Sequence, residues 1–376
     1  MKKLLSTTIA TGIISSMAFA PAFALDVNAL PDLNSVDNAI VTTPSTGNMN
    51  INVGNGTQGA VATLNWNSYN VGKDATVNYE FTNHNQTAVN KVDAAGGLSQ
   101  IYGRITNSGC LGVCGYEGTG KVILINPNGV LFGEGANVNL NSFTVSTLDA
   151  NYDAATNKLI MTKGADQKDF GIAVLGGAQI YGDKGVGFAS NNINLYRGSQ
   201  ISTSNIANVG DTAYGKVKLV SSDGVNFTYF NNGAIKEVEN TQSAANSLTL
   251  AVNGNIDAGH IDIRNYSGAD SQINLNGAVL KATKAEKGND GNIWLVAEGG
   301  IVAGDTTFNT VNGVNAENVA GGNVHGTAIG GEVSIASSNI DAVGTVRFIS
   351  GQKDVNITGT NVTTPKNVTL QAAGVA

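Results

Sequence analysis

Short stretches of alternating apolar and polar residues, bounded by Gly and Asn, dominate this 376-residue chain. Gly120-Lys121-Val122-Ile123-Leu124 sets the form, which reads G-x-[VI]-x-[LIF]. It returns at Gly215-Lys216-Val217-Lys218-Leu219, Gly259-His260-Ile261-Asp262-Ile263 and Gly291-Asn292-Ile293-Trp294-Leu295. Gly331-Glu332-Val333-Ser334-Ile335 and Gly344-Thr345-Val346-Arg347-Phe348 complete the set. A period of two with one apolar side predicts strands with one buried face. Shorter strands are predicted between them, as at Asn253–Ile256, Asn276–Val279 and Asn361–Thr363. The glycines are unevenly spaced, so no strict repeat exists; both sets together give a unit of about 20 residues, as in solenoids.

Two architectures accommodate many short strands with Gly/Asn turns: a sandwich or barrel, and a parallel β-helix. A sandwich needs tight hairpins throughout, whereas these turns are loose and Asn-rich. Stacked Asn residues can form side-chain ladders. The expected fold is therefore all-β, a parallel β-helix with an N-terminal cap over roughly 25–65, because a solenoid has raw ends to cover. No equivalent cap is evident near Ala376, where Val368-Thr369-Leu370 is still strand-like. That end is expected to be bare, covered by a partner, or the cut edge of a fragment.

Composition narrows the classes. The chain has 48 Gly, about as many Asn, and only 13% charged residues. Gly and Asn make poor helix interiors, which argues against a helical bundle. Two cysteines in this length exclude a disulfide-framework miniprotein. The formal charge is −7, which disfavours phosphate backbones and anionic lipid as partners. Arg104, Arg197, Arg264 and Arg347 are scattered along the chain, so no nucleic-acid-binding stripe is expected.

Lys2-Lys3, an apolar run from Leu4 to about Ala18, and Ala22-Phe23-Ala24 read as a signal peptide over 1–24. Cleavage after Ala20 would leave Pro21 first, so Ala24 is the expected site. The run is too short and too polar for a membrane anchor, and no later segment is apolar enough, so no transmembrane segment is expected in the mature chain. The basic start is bacterial in character, with a Gram-negative periplasm as the first stop.

Asn126-Pro127-Asn128-Gly129 follows the strand Val122–Ile125. Pro presets φ at the second position of a turn, Asn tolerates the third, and Gly closes it. Alone, this is a common turn. Its context is the run from Ile123 to Gly133, then Ala136-Asn137-Val138-Asn139 and Phe143–Thr147. Upstream lie Trp66–Gly72, Val77–Phe81, Val89-Asn90-Lys91-Val92 and Ile101–Ile105. In this order and spacing they resemble the haemagglutination-activity, or two-partner secretion, domain of filamentous-haemagglutinin-like exoproteins. The resemblance is strong over 45–150, generic over 151–300, and rests on β-helix texture beyond. A second Asn-Pro-Asn motif common in the family has its nearest match at Asn192-Ile193-Asn194-Leu195, without the Pro. Family exoproteins are usually far longer than this chain.

The resemblance implies a right-handed parallel β-helix with an N-terminal cap and a few extra-helical strands, with a secretion domain over 25–300 and further rungs over 301–376. It implies recognition by the periplasmic domains of a partner outer-membrane β-barrel transporter, passage of the unfolded chain, and folding outside, on the way to the medium or the cell surface. No cofactor and no catalytic residue are required. Asn126, Pro127, Asn128 and Gly129 become the candidate secretion motif, as a turn that fixes its rung and presents part of a recognition surface. Asn90 stands at the family's Asn-Arg-Val position, with Lys91 in place of the Arg. Adhesion to a host or bacterial surface is the expected output; a fragment of a larger cytolysin or adhesin is an alternative.

The residues offer other chemistry as well. Cys110 and Cys114 sit in a Gly-rich loop, and oxidising export favours a local disulfide that scarcely thickens a threading chain. Free thiols, a zinc site and a redox pair are the rivals. Two sulfurs without a matched His pair are too few for zinc, and the spacing is not C-x-x-C. His84, His260 and His325 are far apart and read as surface or turn residues. Trp66 and Trp294 read as core or wall residues rather than sugar platforms. Asp166 with Asp169, and Glu237 with Glu239, read as solvated loop charges. A secreted polysaccharide lyase or glycosidase is the enzymatic alternative, and its best cluster is Asp257, Asp262, Arg264 and Asp270. Asp262 and Arg264 share strand parity and are expected to form an outward surface ion pair.

Overall fold

All six G-x-[VI]-x-[LIF] stretches lead into strands, among them Lys121–Ile125, Lys216–Ser221, His260–Asn265, Ile293–Ala297, Val333–Ala336 and Val346–Ser350. The computed structural model describes residues 25–54, 60–82, 85–108, 120–165, 167–168, 170–203, 215–246, 248–283, 291–310 and 322–373. The leader assigned to 1–24 lies outside these residues. Among them no α-helix occurs, and no helix is long and apolar enough to cross a membrane.

The strands stack in parallel on three faces of a β-helix. The first face carries five of the six pattern strands. Along it Val122 sits beside Phe143, Phe143 beside Val186, Val186 beside Val217, and Val217 beside Ile261. The second face carries the shorter strands, including Asn255–Asp257, Val279–Lys281 and Asn361–Thr363. The third runs from Ser99–Ile101 through Val130–Phe132, Ile172–Val174 and Ile193–Leu195 to Val355–Thr358. Asn137–Ser146 and Gln179–Ser190 each turn a corner and serve two faces, with a register shift at Leu140–Ser142.

The stretch at Gly331 belongs to the third face, where Val333–Ala336 pairs with Gly300–Gly304 and Val355–Thr358. Its place on the first face is taken by Val324–Ala328. That strand has Gly326 where an apolar residue was sought. A Cβ there would lie 2.7 Å from the Phe348 ring, so the large neighbour fills the space. The uneven glycine spacing also has a cause. A bare rung is 22 residues, as from Val324 to Val346 and on to Val368. Longer intervals contain excursions from the helix.

Two such excursions, Asp149–Asp153 with Lys158–Thr162 and Gly224–Tyr229 with Ile235–Gln242, join into a four-stranded antiparallel sheet. It packs on the outside of the first face. Ile123, Ile125, Ala189 and Val220 point outward there and meet Leu159, Met161, Val225, Phe227 and Ile235 in a second apolar core. This is why Val122–Ile125 is apolar at every position: one parity fills the helix and the other lies beneath the sheet. Gly187 lets the sheet come close, since a Cβ would stand 2.6 Å from Ile235 Cδ1. Inside the helix, Phe132 stacks on Phe188 and meets Phe143 edge-on, with centroids about 6 Å apart.

The cap is smaller than expected. Asp32–Asp37 and Ala39–Ser45 cover the N-terminal edge as antiparallel strands against Val61–Ser68 and Asn48–Val53. The two strands they cover already belong to rungs, pairing in parallel with Thr87–Val92 and Thr76–Glu80. An Asn ladder runs along one corner: Asn323 Nδ2 donates to Asn292 Oδ1 at 2.8 Å, and Thr345 N donates to Asn323 Oδ1 at 2.8 Å.

Candidate functional site

The Asn126–Gly129 turn closes as its residue types require. Gly129 N donates to Asn126 O at 3.0 Å, and Gly129 has φ +105°, a value open to Gly. Phe170 crowds the position of a Cβ there at 2.7 Å, so the glycine is also needed for packing. Asn128 N donates to Asn126 Oδ1 at 2.9 Å, a side-chain turn nested in the backbone turn. Asn126 is fully buried; its Nδ2 donates to Gly97 O and to Ser99 Oγ, both at 2.9 Å. Asn128 Nδ2 reaches back to Asp93 O at 3.1 Å.

These bonds tie three levels together. Asp93, Gly97 and Ser99 lie on the rung before the turn. Onward, Asn126 N donates to Ser146 O at 2.9 Å, Val130 N to Gly171 O at 2.9 Å, and Lys168 N to Pro127 O at 2.8 Å. Pro127 is half-buried, while the other three motif residues are buried. The turn is therefore an internal fastener, with little side-chain surface to offer a partner. Asn192-Ile193-Asn194-Leu195 sits at the same corner two levels up. Ile193 stacks on Ile172 and Ile172 on Val130, so Asn192 stands in the column of Gly129 and Gly171.

Asn90 lies on Thr87–Val92, with its side chain in the helix interior. Its Oδ1 accepts from Trp66 Nε1 at 3.1 Å and Tyr79 Oη at 2.9 Å, and its Nδ2 donates to Ile123 O at 3.1 Å. Tyr69 and Tyr79 hydroxyls are 3.0 Å apart, and Trp66 meets Tyr69 edge-on. Burial pushes both phenols well above their ordinary range, so they stay protonated and serve as donors. Trp66 is thus a core residue, as its strand pattern implied. Its polar partners carry no sequence pattern, because Trp66, Tyr79 and Asn90 come from three separate strands.

Residues 28–295, more than two thirds of the chain, match the TPS secretion domain family. The chain belongs to that family. A heme/hemopexin-binding protein of Haemophilus influenzae is 34% identical to this TPS protein over 88 residues, 23% of this chain and 8% of that one. The protein of the same name from strain Rd is 33% identical over 86 residues, with the same coverage. The match therefore spans less than a tenth of these relatives. The solved HMW1 secretion domain of Haemophilus influenzae covers 90% of the chain at 16% identity, TM-score 0.48, with all of that chain covered. A filamentous hemagglutinin secretion domain covers 91% at 10% identity, TM-score 0.44, again with all of that chain covered.

The remaining candidates of the TPS protein separate in space. Cys110 and Cys114 lie outside the described residues, as do His84, Asp166 and Asp169. Asp257 is on the second face, Asp262 on the first, and Asp270 in an exposed turn, so the supposed carboxylate cluster does not form. Asp262 is not a surface residue but fully buried. Arg264 grips it with Nε and Nη2, each at 2.8 Å, and Lys218 Nζ donates to it at 2.6 Å. Burial opposes its ionisation, yet Lys218 and Arg264 outweigh that and hold the carboxyl below the usual carboxylate range. His260 is also buried, and desolvation keeps its ring neutral. Glu237 and Glu239 are on a strand of the outer sheet rather than a loop, and Glu239 pairs with Lys158 at 3.0 Å. Among the described residues no three His, Cys, Asp or Glu gather as a metal site.

Proposed function

We propose that this TPS domain directs export of its exoprotein through a partner outer-membrane β-barrel. In this reading the leader delivers the chain to the periplasm. There the barrel's periplasmic domains engage the unfolded secretion domain over 25–300, and the chain folds once outside. The family match over 28–295 carries the proposal. The architecture suits it physically. Each rung packs on its neighbours, so folding can proceed from one end as the chain emerges, and each rung completed outside opposes backsliding. Low charge and few long apolar runs reduce sticking in a narrow pore.

Asn126 to Gly129 and Asn90 act in this scheme by fixing early rungs. The turn joins the rungs of Ser99, Val130 and Ile172, and Asn90 joins those of Trp66 and Ile123. The output is adhesion or another surface interaction without catalysis. The carboxylate of Asp262, the centre of the cluster considered for catalysis, has its oxygens occupied by Lys218 and Arg264.

Secretion of Asn126→Ala/Asn128→Ala beside the wild type tests the role of the turn. The extracellular yield is expected to fall while a periplasmic pool accumulates. Unchanged yield refutes it.

A further inference from the structure

Trp294 points away from the helix interior and keeps 38% of its surface exposed. Its neighbours across the first face follow from the register: Lys218 beside Asp262, Asp262 beside Trp294, Trp294 beside His325, His325 beside Arg347. These five share one outward parity and form a line across consecutive strands, spaced ~4.8 Å apart. The flanking column sets Arg264 beside Val296 and Thr327 beside Ile349.

The line gathers residue types that are scarce elsewhere. The chain has three His, two Trp and four Arg. Two His (His260, His325), two Arg (Arg264, Arg347) and the one outward Trp fall on this patch. Lys216 and Lys218 lie on the strand below. Within the strands Lys216–Ser221, His260–Asn265, Ile293–Ala297, Val324–Ala328 and Val346–Ser350, Asp262 is the single acid, and Lys218 and Arg264 consume it. With the buried His260 ring neutral, Lys216, Lys218, Arg264 and Arg347 against Asp262 leave this patch net cationic in a chain of net charge −7. Arg347 is exposed, and no described acid pairs with it.

We propose that the stripe from Trp294 through His325 to Arg347 binds a linear uronate-bearing polysaccharide, with Trp294 as stacking platform and Arg347 as the fork for a carboxylate. The strand spacing is close to the length of one pyranose unit, so successive sugars fall over successive strands. The ring is held in place. His260, buried at its side, meets it at 5.1 Å with planes 81° apart, and the Asp262 cage fixes the floor. A pre-set platform lowers the ordering penalty on binding. The planar guanidinium of Arg347 matches a carboxylate bidentately. With Arg264 committed to Asp262, one free fork suits a uronate chain with a single carboxylate on each sugar better than a densely sulfated one. The narrow stripe on a chain of net charge −7 also favours a single saccharide chain over a membrane or a nucleic acid, which need a broader cationic face.

The inference deepens the surface-interaction half of the proposed function, and its test uses purified folded protein, so its failure leaves the export reading untouched. Trp66 is buried, so iodide reports on Trp294. A galacturonate decamer is expected to shield Trp294 from iodide and to bind more weakly as salt rises. Arg347→Gln is expected to weaken binding at least tenfold, with Arg347→Lys recovering only part. Trp294→Ala, followed by affinity electrophoresis in a polygalacturonate gel, is expected to lose retardation, with circular dichroism confirming its fold. The proposal is overturned if the decamer gives no shielding, or if Arg347→Gln and Trp294→Ala bind like the wild type. Equal binding of neutral dextran, or tighter binding of phosphatidylserine vesicles or a heparin fragment of the same length, also overturns it.

Discussion

Asn128 donates its backbone N–H to the side-chain Oδ1 of Asn126 at 2.9 Å, and the rest of the Asn126 amide faces the rung before it. One side chain thus closes a turn and joins two levels of the helix. Asn126→Ala strips the acceptor from Asn128 N and the donor from the buried Ser99 Oγ. Leaving such buried groups unpaired costs about 1–3 kcal/mol each. Asn126→Asp keeps the acceptor but loses the donor, and adds a buried charge. Both variants are expected to unfold at lower denaturant concentration, with no rescue by Asp.

Asn90 offers a second test of the interior network. Asn90→Leu leaves Trp66 Nε1 and Tyr79 Oη without their acceptor. A loss of about 2 kcal/mol or more is expected. Asn90→Leu/Tyr79→Phe is expected to lose less than the sum of the single variants, because one stranded donor is gone. Additive losses in a double-mutant cycle would show that the two groups do not interact.

Lys121 gives a pH dependence with a defined sign. Its strand parity points it outward, but the outer sheet covers it and its Nζ lies 5.7 Å from the Tyr152 ring centre. Burial lowers its pKa from 10.5 to about 8. Between these values the unfolded chain binds the proton more fully than the folded one, so stability rises with pH across that window. The contribution is complete above 10.5 and is lost as pH falls through about 8. Lys121→Met is expected to raise stability at pH 7 and flatten the profile from pH 8 to 10.5. Parallel profiles for variant and wild type contradict this.

The buried cage responds to removal of one partner more than to removal of the set. Asp262→Ala leaves Lys218 and Arg264 without their counter-charge, a change that costs about 3–5 kcal/mol in comparable sites. Replacing all three with apolar residues of similar volume is expected to restore much of the loss. In the wild type, the depressed Asp262 pKa means its contribution is present above its ordinary value of 3.8 and fades only as pH falls through its much lower folded value. Chemical denaturation of the two variants at pH 7 checks the comparison.

The legible part of the fold was the part written in alternation. Val122, Val217, Ile261 and Ile293 each begin an inward parity that one strand states by itself, and the Asn126-Pro127-Asn128-Gly129 turn follows from the torsional limits of its residues. The Gly326 rung was hidden because Phe348, on another strand, fills its space. The outer sheet was foreshadowed by Ile123 and Ile125, apolar at positions that should face water, but which segment covers them is a long-range matter. Asp262 looked like a surface charge because parity tells outward from inward and says nothing of what lies on top. Asn90 stands out in the sequence only by its position in a motif; its role as acceptor for Trp66 and Tyr79 depends on the interior they share.

The most direct test of the account is the location of the full chain when it is produced in a Gram-negative host with and without a cognate two-partner outer-membrane barrel. Extracellular folded protein is expected only with the barrel, and a periplasmic pool without it. Equal extracellular yield in both strains would contradict export by a partner barrel.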